Sequence, residues 1–189
     1  MEQEKPKQKA NLVMTAASIA AFAHRDQKRK VDGTPYIFHP MAVAQKLACA
    51  GVSNEDIIAA ALVHDVLEDT DYPEEKLREE LGGEVVDIVK ALTADNALSW
   101  LEKKKKYAQS VKNGSAAVQM VALADKITNL ENLLEAYKKQ GKAVWGRFNA
   151  SREQKIRFEE EMLAIFKETL NDPMVPDYEK LIEKEKTLE

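Results

Sequence analysis

The chain of 189 residues is 44% hydrophobic and 32% charged, which indicates a globular protein rather than a disordered one. Its net charge of −4 argues against a general nucleic-acid-binding protein, which needs a basic face. The longest uninterrupted apolar run covers residues 57–63, whereas a membrane-spanning helix needs about 20 apolar residues. A single cysteine, Cys49, excludes an internal disulfide and fits a reducing compartment. We therefore expect a cytoplasmic protein whose partner is neither a membrane nor a nucleic acid.

Only seven glycines and six prolines interrupt the chain, and alanine, leucine, lysine and glutamate dominate, so an all-α fold is predicted. Residues 1–9 are charged and have no apolar core behind them, which predicts a flexible leader rather than a secretory signal. The first helix is expected over residues 10–23. A structured loop at residues 31–40 follows, and the second helix runs from Pro40 to Gly51.

Helical patterns continue through the rest of the chain. Ser53 or Asn54 can cap a third helix that runs to about Glu68, and Pro73 opens a short acidic helix that a glycine pair separates from an apolar one. Three further helices are predicted, over residues 99–111, 114–140 and 151–170. Two later prolines indicate a return to loop. The predicted organisation is a leader, one compact helical domain and a charged tail, over residues 1–9, 10–171 and 172–189.

The candidate functional residues begin with His64 and Asp65, at the end of an apolar run where buried unpaired charge would be costly. Adjacent side chains of a helix point about 100° apart, so one ion can contact both only near the helix surface. A second helix must then complete the site. Asp125 is the best candidate, because it is an acid at the centre of an otherwise apolar segment. Of the other two histidines, His24 and His39, the second lies at a loop-to-helix junction and looks ligand-like.

These four residues would offer two imidazoles and two carboxylates. That set suits a borderline-to-hard divalent ion such as manganese, iron, cobalt or zinc. The alternative is that His39 caps a helix while Asp65 and Asp125 pair with lysines. A His-Asp pair on an apolar helix, combined with an upstream histidine and a downstream buried acid, favours the metal site.

Glu68 and Asp69 follow His64 and Asp65 by four residues each, and therefore lie one helical turn further along the same side. An acid in that place can hold or deprotonate a metal-bound water. The alternative is a pair of exposed acids at a helix end. Acids at a helix C-terminus oppose the helix dipole, however, and would need a compensating positive charge.

Three motifs carry a resemblance to a known family. In order along the chain they are RKVDGTPYIFHP, ALVHDVLEDTD and ALADKITNL, at residues 29–40, 61–71 and 122–130. Together they resemble the HD-domain metal-dependent phosphohydrolases, and more narrowly the small alarmone hydrolases and the hydrolase domain of RelA/SpoT-type enzymes. The resemblance implies an all-α bundle of roughly eight to ten helices. It also implies manganese-dependent removal of pyrophosphate from the 3′ position of (p)ppGpp, which yields GDP or GTP.

The resemblance also implies a role for each matched residue. One Mn²⁺ ion would be held by His39, His64, Asp65 and Asp125. Glu68 and Asp69 would position and activate the attacking water. Arg29 and Lys30 would contact the guanine and the phosphates, Asn129 the nucleoside, and Arg152 a phosphate.

Two alternatives remain open at this point. Residues 154–162 depart from the aromatic-rich helix of many relatives, so the substrate could be another nucleotide, such as (p)ppApp or a 3′-phosphorylated cofactor. A nucleotide-binding protein without catalysis is the other alternative, and the presence of both Glu68 and Asp69 argues against it. The lysines at residues 103–106 could neutralise the charge of the substrate or form a solvated helix end. The oligomeric state is also open, and the protein could be a monomer or a dimer.

Overall fold

The computed structural model describes residues 12–29, 32–95 and 97–188, and within these ranges it is all-α, as predicted. Apart from one isolated bridge between Lys28 and Pro35, the described residues contain no β-structure. The helices are α1 (Leu12–Ala23), α2 (Phe38–Cys49), α3 (Glu55–Val63), α4 (Val66–Asp69), α5 (Glu74–Leu81), α6 (Gly83–Leu92), α7 (Trp100–Asn113), α8 (Ala116–Gln140), a 3-10 helix (Gly141–Arg147), α9 (Arg152–Thr169) and α10 (Met174–Lys186). No helix within the described ranges is both long enough and apolar enough to span a membrane.

Local capping explains where several helices begin. The side chain of Asn54 accepts a hydrogen bond from the amide of Asp56 at the start of α3. Ser99 and Ser151 each form a reciprocal capping box at the starts of α7 and α9. Gly141 ends α8 with a φ of 58°, a conformation that glycine adopts without steric cost. These boundaries agree with the sequence to within a few residues.

The core is organised around α8, which packs against α2, α10 and the 3-10 helix, and also against α3, α6, α7 and α9. Leu123 and Leu130 of α8 are fully buried there. On the opposite side, α3 packs against α1, α2 and α6, and its alanines 59–61 have no exposed surface. Small side chains allow this close approach of several helices to α3. The central position of α3 and α8 is what brings His64 and Asp125 to the same place.

The predicted helix that ran to about Glu68 is interrupted in the structure. The helix α3 ends at Val63, and α4 begins only at Val66. Asp65 has a φ of −94° and a ψ of −6°, outside regular helical geometry. Because consecutive helical side chains diverge by about 100°, this interruption allows His64 and Asp65 to converge on one point.

Within the predicted charged tail over residues 172–189, residues 174–186 form the helix α10. Pro176 lies in its first turn, where backbone amides need no helical partner, so proline is tolerated there. Tyr178 and Ile182, one turn apart, are buried in the core. Helical packing therefore continues beyond residue 171, while the predicted leader at residues 1–9 lies outside the described residues.

Candidate active site

Two histidines and two aspartates from three parts of the chain meet in one cluster. His39 lies in the first turn of α2, His64 and Asp65 lie between α3 and α4, and Asp125 lies in the middle of α8. Nε2 of His39 is 3.1 Å from Oδ1 of Asp125 and 3.6 Å from Oδ2 of Asp65. Nε2 of His64 is 3.1 Å from Oδ2 of Asp65 and 3.7 Å from Oδ1 of Asp125. His39 and His64 are 3% and 5% exposed, so solvent does little to screen these charges.

The cluster is built to hold a cation. Nδ1 of His64 is 2.8 Å from the carbonyl oxygen of Ala61, which can only accept a hydrogen bond. Nδ1 therefore carries a hydrogen, and in the neutral ring the lone pair of Nε2 faces the carboxylates. Burial opposes charging of His64, but Asp65 and Asp125 together raise its pKa well above the usual value. A proton or a metal ion between these atoms relieves the repulsion.

The donor set fits a divalent metal. His39, His64 and Asp125 each offer a ligand atom, and these atoms all lie within 4.8 Å of one another. Asp65 adds a fourth donor on the same side, as the distances above show. Imidazole nitrogens combined with carboxylate oxygens suit the borderline-to-hard divalent ions of the first transition row.

Tyr36 links this cluster to the neighbouring acid, a contact that the sequence analysis did not anticipate. Its hydroxyl lies 2.7 Å from Oδ2 of Asp65 and 3.0 Å from Oδ2 of Asp69. The side-chain amide of Gln27 donates to the backbone carbonyl of Asp69 at 2.6 Å, and its oxygen lies 2.7 Å from Nδ1 of His24. Asp69 is thus held beside the cluster by its side chain and its backbone.

Glu68 faces the same cavity as the histidines. Its Oε2 accepts a hydrogen bond of 2.9 Å from the amide of Ala94, at the end of α6. Burial raises the pKa of Glu68, the nearby charges of Asp65 and Asp69 add to that increase, and the hydrogen bond from Ala94 opposes it. A raised pKa makes Glu68 a stronger proton acceptor than an exposed glutamate.

Arg29 and Asn129 form a second layer over Asp125. The side-chain amide of Asn129 donates to Oδ1 of Asp125 at 2.6 Å, and Arg29 donates to Oδ1 of Asn129 at 2.9 Å. The guanidinium of Arg29 also lies 5.6 Å from the centre of the Tyr36 ring. Lys30, predicted beside Arg29, lies outside the described residues and stays a prediction.

Two lysines complete the cationic side of the site. Burial and the neighbouring charge of Lys126 lower the pKa of Lys104 to about 8. Burial also opposes the charge of Lys126, but Glu159 and Asp125 outweigh it and raise its pKa. Lys104 belongs to the predicted lysine run, whereas Lys126 was missed. A lysine directly after Asp125, within an otherwise apolar helix, was the signal for it.

The site consists of two adjoining cavities. The metal-side cavity has a volume of about 320 Å³ and contains the His/Asp cluster, Glu68 and Asp69. The aromatic-side cavity, of about 240 Å³, is lined by Phe148 and Phe158. Five residues line both cavities: Arg29, Trp100, Lys104, Lys126 and Asn129. No single local motif marks the aromatic-side cavity, because its walls come from Arg29 before α2, from α7, α8 and α9, and from the segment between the last two.

Arg152, predicted as a phosphate contact, does not line either cavity, and that role stays a prediction. It is the first residue of α9, and its guanidinium donates at 2.7 Å to the carbonyl of Lys186 at the end of α10. A cation at a helix C-terminus is favourable, because the last carbonyls lack helical partners. Arg152 therefore fastens α10 to α9 and lines neither of the two cavities.

The geometry of this site can be compared with known proteins. The family model described as HD domain matches residues 16–166, which is most of the chain. The chain belongs to the HD-domain family. Its His/Asp cluster lies within the matched region, and the resemblance noted from the three motifs is confirmed.

Curated relatives of this HD domain have a common activity in their names. The mouse guanosine-3′,5′-bis(diphosphate) 3′-pyrophosphohydrolase MESH1 is 39% identical over 123 residues, which cover 64% of this chain and 69% of the mouse protein. The protein of the same activity from Aquifex aeolicus (strain VF5) is 36% identical over 129 residues, which cover 67% of this chain and 18% of that longer protein.

Two solved structures have the same fold. A metazoan ortholog of SpoT that hydrolyses ppGpp superposes with a TM-score of 0.80 at 26% identity, covering 99% of this chain and 100% of that one. The protein lmo0812 from Listeria monocytogenes EGD-e superposes with a TM-score of 0.71 at 30% identity, covering 77% and 97%. The first match includes the region of α10, which supports its place in the domain.

Proposed function

We propose that this protein is a manganese-dependent 3′-pyrophosphohydrolase of ppGpp and pppGpp, which it converts to GDP or GTP and pyrophosphate in the cytoplasm. The observation that carries the proposal is the metal-side cavity, where Glu68 and Asp69 face the same space as the His/Asp cluster. The cationic residues beside it suit a substrate with many negative charges. The activity named for the curated relatives supports this choice of substrate.

The ion would be held by His39, His64, Asp65 and Asp125. When bound, it supplies positive charge that polarises a phosphate oxygen and favours ionisation of water. Phosphoryl transfer depends mainly on positioning and on neutralising charge, and both tasks fall to residues lining the cavity.

The residues of the chain divide the remaining work. Glu68, whose pKa is raised, accepts the proton of the attacking water. Asp69, fixed by Tyr36 and Gln27, orients that water through its carboxylate. Arg29 and Asn129 hold the nucleotide next to Asp125, and Lys30 is proposed to assist Arg29.

The second candidate is hydrolysis of an adenosine alarmone, (p)ppApp, or of a 3′-phosphorylated cofactor. The observation in its favour is the aromatic-side cavity, because Trp100, Phe148 and Phe158 offer flat surfaces on which any purine can stack. The two candidates share the same metal site, so only the substrate distinguishes them.

The test is product analysis of the purified, Mn²⁺-loaded protein with ppGpp and ppApp in parallel, by anion-exchange chromatography. We expect ppGpp to yield GDP and pyrophosphate. Faster turnover of ppApp would favour the second candidate. Release of two single phosphates, or no reaction with ppGpp, would contradict the proposal.

A further inference from the structure

Lys104 lies where the two cavities of the site join. It lines both of them, and its Nζ lies 4.7 Å from the centre of the Phe158 ring and 5.9 Å from that of Tyr107. The inference drawn from this position rests on the proposed function. A 3′-pyrophosphate in the metal-side cavity and the rest of the nucleotide in the aromatic-side cavity would place the bond that breaks at this junction.

The leaving group of that reaction is a ribose oxygen. An alcohol oxygen that departs without a proton becomes a strongly basic alkoxide, so a proton donor at the junction would lower the barrier. General acids of this kind typically contribute about 100- to 10,000-fold in rate. The question is which junction residue can both reach the oxygen and release a proton.

Three of the five residues shared by the two cavities are cationic, and they differ in how firmly they hold a proton. Arg29 is a guanidinium, which stays protonated in proteins. Lys126 has its Nζ 3.8 Å from Oδ2 of Asp125, and a carboxylate at that distance favours the charged form of a lysine. Lys104 is the exception, because burial and the charge of Lys126 bring its pKa down to about 8.

The charges around Lys104 come from several elements. Lys126 and Lys155 lower its pKa, whereas Glu159 and Asp125 partly oppose that effect. Lys104 in turn lowers the pKa of Glu68. The charged groups that face Lys104 are therefore Asp125 and Lys126 on α8, Lys155 and Glu159 on α9, and Glu68 on α4.

We propose that Lys104 is the general acid that protonates the ribose 3′-oxygen as it leaves. The oxygen of water forms a bond to the phosphorus carried by that 3′-oxygen, and the bond between this phosphorus and the 3′-oxygen breaks. The electron pair of the broken bond stays on the 3′-oxygen, which takes a proton from Nζ of Lys104. The proton of the water passes to Glu68. The products are a nucleotide with a free 3′-hydroxyl and pyrophosphate, and Lys104 regains its proton from solvent.

The competing explanation is that Lys104 only supplies positive charge to the phosphates. Lys104→Arg separates the two roles, because arginine keeps the charge and does not release its proton. We expect kcat for ppGpp to fall by about 100-fold or more, with KM within a few-fold of the wild type. Lys105→Arg is the matched control, since Lys105 is the exposed neighbour in the same run, and should change neither constant by more than about twofold.

The pH profile of the Mn²⁺-loaded enzyme gives a second measurement. An acid must be protonated to act, so kcat/KM of the wild type should fall as pH rises through about 8. In Lys104→Arg this decline should be absent. If the decline persists unchanged in the variant, the proposal is wrong.

The dependence on the leaving group gives the sharpest test. A p-nitrophenyl ester of pyrophosphate releases a stable phenolate that needs no proton, so Lys104→Arg should hydrolyse it within a few-fold of the wild-type rate. An equal loss with ppGpp and with the ester would overturn the assignment and leave Lys104 as a binding residue. Failure of the wild-type protein to hydrolyse ppGpp would instead contradict the proposed function, and the assignment of Lys104 with it.

Discussion

Two clusters of buried acids in this protein differ in what compensates their charge. Burial raises the pKa of a carboxyl group, yet the two histidines hold the pKa values of Asp65 and Asp125 below the usual range, and Lys126 adds to this effect at Asp125. Between α9 and α10 the reverse occurs. Glu185 has no exposed surface, and burial together with the charge of Glu159 raises its pKa to about 7.

The difference lies in the partners each cluster has. Among the described residues, neither carboxylate oxygen of Glu185 has a hydrogen-bond partner, whereas Glu159 accepts a hydrogen bond from the hydroxyl of Tyr178. The acids of the first cluster stay charged and attract a cation. Glu185 instead stays protonated, and so uncharged, up to a higher pH than an exposed glutamate. In this protein the buried acids beside the two histidines form a donor set for a metal, whereas Glu185 has no such neighbours among the described residues.

The largest expected effect is the loss of turnover in variants of the metal-side cavity, where metal binding and water activation can be separated. Asp65→Ala should lose both the bound metal and turnover, because it removes a ligand. Glu68→Gln keeps an acceptor for the amide of Ala94 but no longer accepts a proton, so turnover should fall about 100- to 10,000-fold while most metal is retained. Metal content by elemental analysis and steady-state rates check this division, which equal metal loss in both variants would contradict.

Removal of the metal should lower the stability of the folded protein. An ion that binds only the folded state stabilises it by about 2.7 kcal/mol at a free concentration 100 times its dissociation constant. Chelation should therefore lower Tm in a thermal melt of the wild type. Asp65→Ala is the control and should show no such shift, and an unchanged wild-type Tm would count against the metal site.

The second cluster, Glu185 beside Glu159, should make the stability of the folded protein depend on pH. The unfolded chain releases the Glu185 proton near the ordinary glutamate pKa of 4.5, whereas in the folded protein burial raises that pKa to about 7. The stability that this group contributes is thus fully present below pH 4.5 and is lost as pH rises to about 7. Glu185→Gln mimics the protonated acid, so at pH 8 it should stabilise the protein by on the order of 2 kcal/mol. Melts at pH 8 and pH 4.5 test this, and an equal Tm difference at both would refute it.

The smallest effect concerns the contact between α9 and α10. Tyr178→Phe removes the hydroxyl that donates to Glu159, and losing a buried hydrogen bond of this kind should cost about 1–2 kcal/mol. Tyr72 provides the matched control, because its hydroxyl donates to Glu80 at 2.6 Å on the surface, and Tyr72→Phe should cost almost nothing. Denaturant titration measures both variants. A cost for Tyr178→Phe no greater than that for Tyr72→Phe would mean that this contact does not hold α10.

Local sequence patterns identified part of the candidate site. His64, Asp65 and Asp125 were recognised because each is a polar residue in an apolar context, and His39 because it lies at a loop-to-helix junction. The structure brings the four together. The contact of Arg152 with the end of α10 could not be predicted, because its partner Lys186 lies 34 residues further along the chain. For the aromatic-side cavity the sequence indicated some lining residues, Arg29 and Asn129 among them, but not its shape, because packing between distant helices creates it.

Some features of the fold likewise depend on local sequence, and others depend on tertiary contacts. The caps at Ser99 and Ser151 and the stop at Gly141 depend on neighbouring residues, so the sequence by itself determined those helix boundaries. It also determined the all-α class and indicated the four residues of the His/Asp cluster. The tertiary structure decided that α10 packs as part of the core, that the helix breaks at Asp65, and that Lys104 lies beside Lys126. These features depend on burial and on charges from other helices, which no local pattern of residues contains.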